Sequence, residues 1–379
     1  MDFKLTEEQE LIKENMRDFT RKYVDPIAVE IDENSRYPEE VIKKLAEGDW
    51  MGMPYPQEYG GAGVDYVTYA IVVEELSRSC AATGFTLSCH TSLASGPIYN
   101  YGSEEQKMKY LVPLAKGQKI GAFGVTEPGA GTDVGAATTT AVLDGDAYVL
   151  NGTKTFTSNG PVADTFVIFA FTDKSLGGKG MSAFIVSKDN PGLKVGQHFY
   201  KMGIRASQTS EIILKDCRVP KEDLLGKEGQ GLKIAMDSFD HGRIGIAAQA
   251  VGIAQAAMDE SISYAKQRIQ FGKPISKNQA IQWMIADMAT DISAARFLTY
   301  HAAYLKDQGK PFSKEAAMAK VFAAEMSNRH ASKAVQIHGG YGFCKGFKVE
   351  RLMRDAKITE IYEGTSEAQR MVIAGNVLR

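Results

Sequence analysis

The sequence predicts an α+β chain in three parts: an N-terminal helical domain, a middle antiparallel β domain and a C-terminal four-helix-bundle domain. Three observations carry this. Apolar residues recur at helical spacing in the first third. β-Branched and aromatic runs, broken by Asp-Gly and Asn-Gly, fill the middle, and an Ala-, Met- and Gln-rich helical pattern resumes near residue 229. The expected boundaries are 1–119, 120–228 and 229–379.

Leu5, Leu11, Ile12, Met16, Phe19 and Tyr23 set the first helix, and Thr6 with Gln9 makes a capping box ahead of them. Pro38 opens a second helix, with Val41, Ile42, Leu45 and Trp50 as its apolar positions and Gly48 at its end. A glycine turn at 59–63 precedes helical patterns over roughly 66–79 and 104–116. In the middle part, Thr138–Leu143 runs into Asp144-Gly145, and Tyr148–Leu150 into Asn151-Gly152. Both dipeptides read as hairpin turns. Thr165–Phe171 and Met181–Val186 are further strands. The last part carries candidate helices at 229–268, 276–307, 313–338 and 365–377, long enough for a bundle.

Forty-four basic against forty-six acidic residues give a net charge of −2, which offers no bulk field for nucleic acid or an anionic membrane. Cys80, Cys89, Cys217 and Cys344 form no C-x-x-C, so neither a disulfide scaffold nor a zinc site is expected. No secretory signal pattern opens the chain, and no apolar run approaches the roughly 18 residues of a membrane span. The expectation is a soluble cytoplasmic protein. No G-x-G-x-x-G follows a strand, and H-E-x-x-H and G-x-S-x-G are missing, so dinucleotide-fold, metalloprotease and serine-hydrolase readings have no support.

Four islands interrupt these patterns. Ala122–Asp133 combines Gly124, Gly129 and Gly131 with Thr126 and Thr132, a backbone able to approach a planar or phosphorylated ligand. Lys154–Asn159 sets Phe156 among hydrogen-bonding groups. Gln267–Gly272 places Arg268 at the end of a long helix, suited equally to the helix dipole or to a phosphate. Gln336–Gly342 is followed by Arg354–Glu367, where Ser366 and Gln369 would cap the last helix and Glu363 sits in the loop before it.

Phe123–Pro128, Gly131–Asp133, Gln267-Arg268 with Phe271-Gly272, Gln336–Gly342, and Arg354-Asp355 running to Ile361–Thr365 occur in one order along the whole chain. In this the sequence closely resembles the acyl-CoA dehydrogenase family, above all its short-chain, butyryl-CoA dehydrogenase-like enzymes of anaerobic bacteria. The resemblance implies FAD between the β domain and the C-terminal helices, in a homotetramer. It puts the flavin against Phe123, Val125, Thr126, Gly131, Thr132, Phe156, Thr157 and Ser158. Arg268, Gln270, Phe271, Gln279, Gln336, Ile337, Gly339 and Gly340 would serve the pyrophosphate and adenine end, in part of a neighbouring subunit's FAD, with Thr365 and Glu367 completing the site. Thr132, Asp240, Arg243 and Gly364 would lie along the CoA thioester, and Glu363 would be the base.

The chemistry so implied is α-proton abstraction with β-hydride transfer, run towards enoyl-CoA or backwards as an enoyl-CoA reductase, with electrons exchanged with an electron-transferring flavoprotein. The rivals are an acyl-CoA oxidase, which a peroxide assay separates, and a non-catalytic scaffold, which would purify colourless. The family's acyl pocket ends near the stretch after the third helix. Here Ala81, Ala82, Gly84, Ala94, Ser95 and Gly96 are small, so room is expected for a branched or aryl-substituted acyl group unless Phe85 or Tyr99 closes it.

Overall fold

The computed structural model describes residues 4–378; Met1–Phe3 and Arg379, at the outer edges of the first and last regions expected above, lie outside the described residues. The capping box is present: Gln9 N donates to Thr6 Oγ1 and Thr6 N to Gln9 Oε1, both at 3.1 Å. Helix α1 (Glu7–Phe19) continues through a wider turn into α2 (Ala28–Glu33), and α3 (Glu39–Glu47) follows Pro38 and buries Val41, Ile42 and Leu45. Helix α4 (Tyr66–Ser79) is capped by Asp65, which accepts from Thr68 N at 2.6 Å.

The next stretch departs from the sequence reading. Residues 81–101 are helical throughout, as α5 (Ala81–Ser88), a wide turn over Cys89–Ser95 and α6 (Gly96–Tyr101). Every residue from Ala81 to Ile98 is buried, so no polar face exists to reveal a period, and Ser, Thr and Gly have weak helix propensity. Helix α7 (Glu104–Gln106), a wide turn and α8 (Val112–Ala115) then make the stretch expected at 104–116.

The sheet comprises β1 (Gly121–Gly124), β2 (Thr140–Asp144), β3 (Ala147–Ser158), β4 (Thr165–Phe171), β5 (Met181–Ser187), β6 (Leu193–His198), β7 (Thr209–Pro220) and β8 (Leu224–Leu225). Its order is β6-β7-β3-β2-β4-β5-β8, antiparallel except that β1 lies parallel to β4 and β2 meets β4 at Thr140↔Phe171. Asp144-Gly145 is the β2–β3 hairpin. Asn151-Gly152 is not a turn: β3 runs straight through it with a bulge. Asn151 Oδ1 accepts from Asp216 N of β7 at 2.8 Å, and a Cβ on Gly152 would fall 2.3 Å from Thr139 Oγ1. The same residues that close hairpins also serve where one strand bends past a neighbour.

The C-terminal part holds α9 (Gly231–Gln267), α10 (Gln279–Asp307), α11 (Ser313–His338), α12 (Lys348–Lys357) and α13 (Ser366–Val377), with a small ribbon, β9 (Ile269–Gln270) and β10 (Lys273–Pro274), after α9. Helix α12 was not anticipated; its buried Arg351 and Asp355 hide the apolar face of Val349 and Leu352. Helix α9 is buried over most of its length and packs on α4, α10 and α11, so the first and last parts share one core. Thr365, not Ser366, caps α13, accepting from Ala368 N at 3.2 Å. No helix among the described residues is long and apolar enough to cross a membrane.

His90 ties the helical part to the sheet. Its Nδ1 accepts from Gly121 N and its Nε2 donates to Leu114 O, both at 3.0 Å. Burial holds its pKa down to about 4. Below pH ~6.5 the unfolded chain gains a proton the folded one refuses, so this stabilisation is complete above that value and is lost as pH falls towards about 4. We expect a loss of about 3 kcal/mol across that window, read as a falling unfolding midpoint that flattens in His90→Ala.

Candidate active site

The site is organised around the loop between α12 and α13. Glu363 and Gly364 take left-handed backbone angles, φ 51° and 94°. Glycine adopts this readily, but a glutamate there must be held. Lys320 Nζ of α11 donates to Gly364 O at 2.6 Å, and Gln369 Nε2 donates to Gly364 O at 2.9 Å and to Glu363 O at 3.2 Å. Tyr362, its ring 4.6 Å from Phe85, donates to Gln249 of α9, which reaches on to Ala81 O at 2.9 Å.

The loop drives the Glu363 carboxyl into the core, where neither oxygen has a hydrogen-bond partner among the described residues. A Cβ on Gly242 of α9 would fall 2.0 Å from Glu363 Oε2, so the carboxyl occupies the space a side chain there would fill. Burial pushes Glu363 up to about 8, while Lys320 and Arg243 pull it back towards the ionised form. Next to Gly242 on the same helix, Arg243 pairs with Asp240 at 2.5 Å and Ser313 Oγ donates to the same carboxylate at 3.0 Å, leaving Arg243 Nε buried without a partner among the described residues. The structure thus gathers Glu363, Gly364, Asp240 and Arg243.

Phe123 reaches this neighbourhood from β1, its ring 5.7 Å from Phe239 of α9 and 4.9 Å from Phe169. Val125 is buried and Thr126 half-buried, while Gly131 and Thr132 stand exposed on the loop beyond, where a Cβ on Gly129 or Gly131 would meet nothing within 4 Å. A buried ion pair fixes this loop. Lys154 Nζ meets Glu127 Oε1 at 2.7 Å, and Glu127 also accepts from Thr138 N at 2.6 Å and Thr139 N at 3.0 Å. Burial works to raise Glu127, but Lys154 and these donors hold it down to about 2. Phe156, at φ 53° and 63% exposed, lies against Phe199 at 4.6 Å; beside it Thr157 Oγ1 is buried without a partner, and Ser158 is half-buried.

The remaining candidates form a second cluster. Arg268 ends α9 and stands 5.7 Å from the Tyr341 ring; Gln270 and Phe271 are on the adjoining ribbon, with Phe271 98% exposed at φ 51°. Gln279, Gln336, Gly339 and Gly340 are exposed and Ile337 is buried. Arg243 and Arg268 are separated by 25 residues of one helix, about 37 Å, so a single chain does not bring the two clusters together. Thr365 serves as the α13 cap, with Glu367 exposed in the first turn.

Sequence reasoning did not single out Lys320, Gly242, Gln249 or the Glu127–Lys154 pair. Lys320 left one signal, a lone cation among Ala316, Ala317, Ala319, Ala323 and Ala324 on a helix face that is buried.

The sequence matches the acyl-CoA dehydrogenase N-terminal domain over residues 6–118, the middle domain over 122–217 and the C-terminal domain over 229–378. The chain belongs to the acyl-CoA dehydrogenase family. It is 56% identical to the short-chain specific acyl-CoA dehydrogenase of Clostridium acetobutylicum, over 100% of both chains. It is 52% identical to the acryloyl-CoA reductase (NADH) of Anaerotignum propionicum, over 100% of this chain and 96% of that one. A solved structure described as an electron transferring flavoprotein of Acidaminococcus fermentans, concerned with flavin-based electron bifurcation, contains a chain 53% identical, with a TM-score of 0.99 over 100% of both. The family is one of flavoproteins, and this member is an enzyme of acyl-CoA dehydrogenase or enoyl-CoA reductase type.

Gly242→Ala is expected to displace the Glu363 carboxyl while leaving α9 intact. Misplacement of a reacting group by about 1 Å costs on the order of 10²-fold, so turnover should fall by that order with the circular dichroism unchanged.

Proposed function

We propose that this enzyme interconverts a short-chain acyl-CoA and its 2-enoyl-CoA, with FAD as cofactor and Glu363 as the group that removes or returns the α-proton. The observation that carries the reading is the buried, partnerless Glu363 carboxyl. Its displaced pKa makes it a stronger base than a carboxylate in water, and the missing partner leaves both oxygens free for a substrate proton. The Glu363 N–H, which takes no backbone partner, is the chain's own donor for the thioester oxygen. Asp240 and Arg243 line the approach along α9, and Gly364 and Thr132 complete the thioester contacts.

The cofactor's fit rests on the middle part. The open space over Gly129 and Gly131, the partnerless Thr157 hydroxyl and the exposed Phe156 make a cradle of glycine backbone, hydroxyls and an aromatic face. Phe123, Val125, Thr126, Gly131, Thr132, Phe156, Thr157 and Ser158 would hold the ring there, with Thr365 and Glu367 at the α13 start. Bound, FAD supplies the acceptor and donor for the β-hydride. Arg268, Gln270, Phe271, Gln279, Gln336, Ile337, Gly339 and Gly340, about 37 Å along α9 from Arg243, would serve the pyrophosphate and adenine of another subunit's FAD in a homotetramer. The partner that exchanges electrons would be an electron-transferring flavoprotein, in the cytoplasm. The three regions 1–119, 120–228 and 229–379 are proposed as the domains.

Part of the small-residue stretch after α4 is closely packed. A Cβ on Gly84 would fall 2.1 Å from Ser77 Oγ, and one on Gly121 would fall 2.5 Å from Ala94 Cβ, so both positions serve close packing. Ser95 Oγ is engaged with His90 O at 2.9 Å. Gly96 alone has slack, with Thr91 O and Tyr55 Oη each 3.8 Å from where its Cβ would stand.

Glu363→Gln should retain flavin and bind acyl-CoA but lose turnover by about 10²–10⁴-fold; activity within twofold of the parent removes Glu363 from the mechanism. In the parent, kcat/KM for acyl-CoA oxidation should rise with pH through about 8 and that for enoyl-CoA reduction should fall, because one direction needs the carboxylate and the other the acid. Arg268→Ala should purify with less flavin and in smaller assemblies, since alanine cannot replace a charge-assisted contact to phosphate. A fully flavinated parent-sized oligomer would reduce Arg268 to a helix-end charge.

A further inference from the structure

Lys320 lies on α11 with its side chain fully buried, among alanines, and its one hydrogen bond among the described residues goes to Gly364 O at 2.6 Å. That carbonyl belongs to the residue after Glu363, inside the left-handed turn. A buried ammonium without a carboxylate in contact is costly, and an apolar residue would pack more cheaply against this alanine-rich face. The nearest charges explain its presence. Glu363, Glu360 and Glu367 favour the ammonium and Arg243 opposes it, while burial lowers its pKa. Around Glu363 the titratable groups are Lys320 of α11, Arg243 of α9, Tyr69 of α4, Cys89 of the turn after α5, and Tyr362 beside it. Of these only Lys320 and Arg243 carry positive charge, and Arg243 is already paired with Asp240.

We propose that Lys320 is a positioning residue for Glu363: it clamps the Gly364 carbonyl to fix the left-handed turn, and it supplies the uncommitted positive charge that favours the ionised form of the buried carboxyl without touching it. The inference rests on the reading of Glu363 as the base. Gln369 shares the clamp through the same carbonyl but carries no charge, so the electrostatic part falls to Lys320.

The test uses the flavinated enzyme and the pH profile of acyl-CoA oxidation, with α-proton exchange into deuterated solvent as a readout independent of electron transfer. Lys320→Met should move the rising limb of both profiles up by about one pH unit or more and lower kcat at least tenfold at pH 7, with KM little changed. Lys320→Arg, which keeps charge and donor, should return the limb to within half a unit of the parent. If Lys320→Met does not accumulate, Lys320→Gln is neutral and reads the same limb. A parental limb in either neutral variant overturns the proposal, as does a loss of activity with no shift, which marks a merely structural lysine. Glu363→Gln run alongside separates the two readings: if it is inactive while the lysine variants keep the parental limb, only the Lys320 assignment falls; if it stays active, the base assignment falls and takes the positioning role with it.

Discussion

A carboxyl group taken out of water with no partner is the constraint around which this structure is arranged. Left to itself, such a group would turn outward or acquire a permanent counter-ion, and either would return it to the ordinary carboxylate range or below. The chain prevents the first by the backbone: a glutamate in a left-handed turn, its carbonyl and the next one gripped by Gln369 and Lys320, cannot swing out without breaking buried hydrogen bonds. It prevents the second by committing the nearest arginine to Asp240. Helix α9 supplies the last element by having no side chain at Gly242.

The same logic is applied in the β domain with the opposite outcome. Glu127 and Lys154 are also buried, but they are in direct contact, and the carboxylate accepts further backbone donors until it is strongly acidic. A pair of this kind adds little stability over a well-packed apolar pair. What it does is pin Glu127 and the backbone from Thr138 to Thr139, so the glycine loop between them has fixed ends and an open middle. Two buried glutamates thus stand in opposite surroundings, one fully satisfied and one left wanting.

Much of this was legible in the residues. Period, capping and sheer length placed the long helices to within a few residues: α4 and α9 are long enough to read although mostly buried, and α10 and α11 keep a wet face. The hidden helix at 81–101 had none. The Asn-Gly bulge in β3 used turn chemistry for a bend, and Ser366 lost the cap to Thr365 one position earlier. Local sequence cannot distinguish these cases, since the difference lies in which strand or helix packs alongside. Glu363 stood out only through the surrounding motif; on spacing alone it was a loop acid. Lys320 and Gly242 matter because of what faces them from other elements, which no single stretch of sequence contains.

The fully buried run from Ala81 to Ile98 carries a further implication. It contains no acidic or basic residue apart from His90, and nothing in it is suited to water. Its solubility is lent to it by α4, α9 and the sheet that enclose it. When heat loosens those neighbours, an uncharged eighteen-residue segment meets solvent and other chains at once, without gatekeeper charges to keep copies apart. Loss of the fold would then lead to coagulation faster than to refolding, so the enzyme's endurance is set by how slowly that enclosure opens.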